Sequence, residues 1–257
     1  PLYMGQAAKD VHLALQKRIN PGLVPTIEMI QPFEAGEKIV IGDISITPLM
    51  VDHSAYDSYM FLIETEGKRV LHTGDFRTHG FRGKAVIPML KKYVGQVDVV
   101  ITEGTTLSRD DSLTITEHEL QQQAIELLMQ YKYVFVICAS TNIDRVASFH
   151  EATPRGKYFF CDSYQKDIID IARKYGEQYT QLYSFKKALT YGKNLEEKAE
   201  KQGFCMMVRG NNRFLDIMNK YRESHNSECL VIYSMWEGYL KRPDNTLQPL
   251  LNGFQNV

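Results

Sequence analysis

Apolar and polar positions follow two different rhythms along this chain. Up to about residue 106 the apolar residues come in short runs that read as strands. Glu37–Ile41, Ile44–Met50, Tyr59–Glu64 and Arg69–His72 are rich in β-branched, aromatic and aliphatic residues. Gly42-Asp43 parts the first pair and Glu66-Gly67 the second. Such dipeptides form tight turns, so two hairpins are predicted. Leu2-Tyr3-Met4 reads as a further short strand. Ala7–Arg18 carries Ala7, Ala8, Val11 and Leu15 at helical spacing, with Ile19 just beyond.

From about residue 107 strands and helices take turns. Thr116 and Glu119 have the form of a capping box ahead of a helix to Gln130. Tyr133–Cys138, Lys157–Cys161, Phe204–Val208 and Cys229–Tyr233 read as buried strands. Asn142–Ala152 and Ser163–Tyr175 read as helices, the second with Ile168, Ile169 and Ala172 on one face. This alternation predicts a parallel sheet with crossover helices. The charge-rich stretch Lys186–Lys201 is expected to be a solvated helix or loop. Two domains are predicted, 1–106 and 107–257.

Composition adds exclusions. With 257 residues, 44% of them apolar and 24% charged, the chain can bury a core. Thirty basic residues face 31 acidic ones, so a polybasic nucleic-acid binder is disfavoured, although a local basic face is not. No apolar run is long enough to span a bilayer and no signal peptide is evident. Cys138, Cys161, Cys205 and Cys229 lack CxxC spacing and sit in apolar runs, as buried free thiols of a reducing, cytoplasmic protein would.

Three segments carry chemistry. Val51-Asp52-His53-Ser54 follows a strand, Leu71-His72-Thr73-Gly74-Asp75-Phe76-Arg77 completes one, and the apolar strand in Val97-Asp98-Val99-Val100-Ile101-Thr102 runs into Glu103-Gly104-Thr105-Thr106. Strand carboxyl ends gather at one edge of a sheet, where sites form. Convergence of His53, Asp75 and Glu103 is therefore expected. Arg77, Arg82 and Lys84 read either as a solvated loop or as phosphate contacts. Asn142 and Arg145 stand at a helix N-terminus, as a plain cap or as an anion site. Trp236 is expected in the core.

In this order, strand-Asp-His-Ser, strand-Gly-Asp-Phe-Arg and strand-Glu-Gly-Thr, the segments resemble the metallo-β-lactamase superfamily. They are similar in particular to its β-CASP branch, the RNA-metabolising hydrolases that include ribonuclease J. Ala139-Ser140-Thr141-Asn142-Ile143-Asp144-Arg145 and Leu230–Leu240 resemble segments of the β-CASP domain. The resemblance implies an α/β fold, an incomplete αββα sandwich with an inserted β-CASP domain built on a parallel sheet. It implies that His53 is a metal ligand, that Asp75 bridges two metals, and that Glu103 orients a metal-bound histidine. Two zinc ions, with manganese as a substitute, would activate water against a phosphodiester in RNA or DNA held between the domains. Asp75 and His53 would be the catalytic pair, with Arg77, Arg82, Asn142 and Arg145 on substrate phosphate. The expected partner is nucleic acid, RNA first, with no membrane and with a homodimer left open.

Two rival readings remain. One is a small-molecule ester, thioester or lactam hydrolase on the same fold, which the second half of the chain disfavours. The other is a non-catalytic scaffold in an RNA-processing complex. The family's His-x-His-x-Asp-His motif and its final ligand histidine are not in the sequence. Truncation at both ends is therefore expected, and the chain as it stands is expected to lack a proper two-metal site and to be inactive.

Overall fold

The computed structural model describes residues 2–105, 114–241 and 247–257. The chain divides into two compact units, Pro1–His118 and Glu119–Val257. The division expected after residue 106 falls at the edge of residues 106–113, outside the described residues. So does Thr106 of the Gly-Thr-Thr segment.

In the first unit, β1 (Tyr3–Gly5) leads into α1 (Gln6–Ile19) and a short helix α2 (Val24–Glu28). β2 (Gln31–Phe33) then pairs parallel with β1. A five-stranded sheet follows, in the order β3 (Ile39–Ile41), β4 (Ile44–Met50), β5 (Tyr59–Thr65), β6 (Lys68–His72), β7 (Val99–Ile101). Two tight hairpins build most of it. Ile41 pairs with Ile44 across Gly42-Asp43, and Thr65 pairs with Lys68 across Glu66-Gly67. Alternation puts Leu49, Val51, Met60, Leu62 and Leu71 on one face. They pack there against Val86 of α3 (Gly83–Met89) and Val94 of the wide turn that follows it. The chain passes from β6 to β7 through α3, a crossover that lets the two strands run parallel.

The second unit is a parallel sheet in the order β10 (Ala188–Thr190), β9 (Tyr158–Cys161), β11 (Phe204–Val208), β8 (Tyr133–Ile137), β12 (Cys229–Tyr233). Every recorded pairing in it is parallel. The helices are α4 (Glu117–Gln130), which starts just ahead of the unit boundary, then α5 (Ile143–Ala152), α6 (Ser163–Gly176), α7 (Glu196–Gln202), α8 (Asn212–His225) and α9 (Leu247–Leu251). β8 and β11 are buried at every position, as strands covered on both faces must be. Phe135, Phe160, Phe204 and Tyr221 form the aromatic centre of this core.

The Lys186–Lys201 stretch differs from a solvated segment. It contributes edge strand β10 and helix α7, and it buries Ala188, Tyr191 and Ala199. Its charges mask the few apolar residues that face the sheet. Trp236 departs in the other direction, being 61% exposed. β12 ends at Tyr233, so Trp236 lies in the loop beyond the sheet, where its ring meets Tyr239 edge-on at 5.4 Å.

Candidate functional site

Strand direction decides which loops meet. β4 and β6 are each antiparallel to β5, and β6 is parallel to β7. β4, β6 and β7 therefore run the same way. Their registers are nearly level: Met50 lies opposite Tyr59, Phe61 opposite His72, and His72 opposite Ile101. His53, Asp75 and Glu103 thus leave the sheet from one edge. His53 is partly buried and Asp75 is exposed.

Each group is held by its neighbours. The Ala55 N–H donates to His53 Nδ1 at 3.2 Å, and Ser58 Oγ lies 3.4 Å from the same nitrogen. Gly74 takes φ +56, and a Cβ there would come to 3.0 Å from the Tyr59 carbonyl oxygen, so the Gly-Asp turn needs glycine. Glu103 Oε1 accepts the Phe76 N–H at 2.8 Å and so braces the loop that carries Asp75. Thr73 Oγ1 to Thr102 Oγ1, at 3.2 Å, ties the same two loops together.

The electrostatics at His53 are mixed. Burial lowers its pKa most. Asp75 raises it, Arg77 and Arg82 lower it, and Glu103 raises it; the net result lies below the ordinary 6.5. The ring is therefore neutral at neutral pH and carries its proton on Nε2 while Nδ1 accepts from Ala55.

The two arginines beside His53 do not sit on a solvated loop. Arg77 Nη1 lies 3.2 Å from Glu117 and its Nε 3.6 Å from Asp52, and both carboxylates are buried. Arg82 Nη2 donates to the carbonyls of His53, at 3.0 Å, and Ala55, at 3.4 Å. Its Nε and Nη1 are buried without a hydrogen-bond partner among the described residues. Sequence reasoning gave no role to Asp52 or Glu117. The only signal was position, since Asp52 adjoins His53. Asp57 was missed too. It is buried at φ +69 and accepts the Ala8 N–H of α1 at 2.8 Å, as well as the Tyr59 hydroxyl.

In the second unit, Asn142 Oδ1 accepts the Arg145 N–H at 3.2 Å, which makes it the cap of α5. Arg145 Nη1 donates to Ser234 Oγ. Both lie beyond the carboxyl ends of neighbouring strands β8 and β12. Arg209, just after β11, donates to Ser140 Oγ at 2.9 Å and pairs with Asp162.

His53 and Asp75 are donors of the kind that zinc takes. A catalytic zinc needs about three protein ligands. Among the described residues, no group of three or more His, Cys, Asp or Glu side chains is placed to hold a metal ion. The described residues alone therefore do not make a metal centre, and no step below is routed through one.

A mixed α/β fold with such an edge site defines a class. Residues 4–137, more than half of the chain, match the beta-lactamase superfamily domain, and the chain belongs to that superfamily. Among solved structures, the chain is similar to the crystal structure of a protein of unknown function from Enterococcus faecalis V583. The two are 16% identical with a TM-score of 0.63, over 91% of this chain and 63% of that one. That likeness carries the fold alone, and this chain spans under two thirds of that protein's length. No curated protein matches.

Proposed function

We propose that this chain is part of a β-CASP-type phosphodiesterase that cleaves RNA. The observation carrying this reading is the common exit of His53, Asp75 and Glu103 from one sheet edge, in a chain that also carries a second unit built on a parallel sheet. The second unit weighs against the small-substrate reading, since a hydrolase of small esters, thioesters or lactams would not need it. In this reading His53 and Asp75 would hold a metal together with ligands from outside the described residues, and the metal would supply Lewis acidity toward water. Glu103 keeps Asp75 at the edge through the Phe76 N–H. The uncharged His53 ring would serve as a ligand near pH 7 by moving its proton from Nε2 to Nδ1, which would release the Ala55 N–H. Arg82 contributes a cation beside it that favours a phosphodiester. Arg145 and Asn142 stand as phosphate contacts only where their present bonds to Ser234 and the helix backbone allow.

The test uses the full-length protein with labelled RNA, labelled DNA, and a panel of esters, thioesters and lactams. RNA cleavage is expected, and His53→Ala or Asp75→Ala should lower it by roughly 10²-fold or more, as loss of a group at the reacting centre does. Turnover of the small esters alone would replace this reading with the small-substrate one. Undiminished RNA cleavage in both variants would remove the site. Elemental analysis of the 257-residue chain should find zinc below one equivalent.

A further inference from the structure

The second unit holds a cavity of about 740 Å³, within the range typical of small-ligand sites. Its wall comes from the end of α5 and the loop into β9, from the segment that leads into β10, and from Gln202 at the end of α7. These lie at the amino ends of the strands, the opposite edge from Asn142 and Ser234. Four of its lining residues are cations, Arg155, Lys157, Lys186 and Lys187, against one acid, Glu151. The chain as a whole carries a net charge of -1, so this excess is local.

The cations differ in their commitments. Lys157 Nζ donates to the carbonyls of Leu128 and Tyr131, closing the end of α4. Among the described residues Lys186 Nζ reaches only Gln181 Oε1, at 3.4 Å. Arg155 and Lys187 form no ion pair among the described residues. Glu151 is turned to His150, with Oε1 3.1 Å from Nδ1.

The loop that presents the lysines is held in an unfavourable shape. Phe185 has φ +44 and Lys187 has φ +67, a region that costs an L residue free energy. No glycine or asparagine relieves it. Buried His150 fixes the middle of the loop, donating from Nε2 to the Lys186 carbonyl at 2.7 Å, and its ring packs edge-on against Phe159 and Phe185. Strained backbone of this kind gathers at ligand sites, where the surrounding packing enforces it.

We infer that this cavity binds a phosphate-bearing ligand of nucleotide size through Arg155, Lys186 and Lys187. Three cations with little acid between them suit a ligand of two or more negative charges, and the Arg155 fork matches phosphate oxygens in pairs. The ligand is either a free nucleotide or one nucleotide of an RNA strand, which present the same chemistry. The inference does not depend on the hydrolase reading.

Calorimetric titration of the chain with ATP, and separately with a ten-nucleotide single-stranded RNA, tests it. The variant Arg155→Glu, Lys186→Glu, Lys187→Glu is compared with Lys17→Glu, Lys91→Glu, Lys92→Glu, which changes net charge equally in the other unit. The first should weaken binding by about tenfold or more, and the second by far less. The milder pair Arg155→Gln and Lys186→Gln covers the case in which the triple variant melts early. ATP binding lost in the first variant assigns a free nucleotide. RNA binding lost there without ATP binding assigns a strand. If neither probe binds, or if both triple variants lose affinity alike, the site does not exist.

Discussion

Asp52 has no exposed surface, and a carboxylate there must be answered by hydrogen bonds or charge. Oδ2 accepts the Gly80 N–H at 2.8 Å, and Arg77 supplies the cation. A Cβ at position 80 would lie 2.2 Å from Asp52 Oδ1, so Gly80 is set by close approach. Arg77 also meets buried Glu117, and its removal would strand two acids. Arg77→Met is expected to cost roughly 3–5 kcal/mol, read from urea unfolding. An arginine that only awaited phosphate on a solvated loop would cost about 0.5 kcal/mol or less. The sequence puts Arg77 two positions after Asp75. It could not show that the guanidinium turns inward, because its partners lie 25 and 40 positions away.

At the scale of elements, local rules were enough wherever a segment is long or sharply punctuated. β4 spans Ile44–Met50 as periodicity predicts, and α6 runs Ser163–Gly176 with Ile168, Ile169 and Ala172 buried. α3 and β10 were not legible. α3 contains Pro88 in seven residues, and β10 is three residues amid lysines. Both form because a neighbouring sheet accepts their few apolar side chains. Asn142 takes one of the two roles that local chemistry offered, since its side chain caps α5. Asn142→Ala should lower stability by about 1 kcal/mol, and Asn142→Asp should restore most of it. Thermal melts of the three proteins decide this. An unchanged melt for the alanine variant would show that the cap contributes nothing to stability.

For the whole molecule, the cysteines offer a reading of the packed core. All four are buried free thiols. Burial pushes Cys161, Cys205 and Cys229 each up to about 12, from an ordinary 9.0. The folded state keeps these protons at a pH where the unfolded chain has lost them. Their contribution to stability is thus complete below pH 9 and is lost as pH rises from 9 towards 12. Urea midpoints should fall steadily above pH 9. A thiol reagent at pH 8 should label these cysteines only after denaturant is added. Rapid labelling of the native chain would contradict the tight packing of β9, β11 and β12.

Sequence alone determined the two rhythms, the hairpins, most strands and the three chemical segments, because these depend on spacing within a few residues. The family resemblance rested on the same short segments, and the match over residues 4–137 supports it at the level of the superfamily. Only tertiary structure decided that β4, β6 and β7 share a direction, which is what sends His53, Asp75 and Glu103 out from one edge. It also decided that Glu103 holds the Phe76 N–H, that Asp52 and Glu117 claim Arg77, and that Trp236 faces solvent. Burial and long-range pairing set those outcomes, and neither is a property of a residue and its near neighbours in the chain.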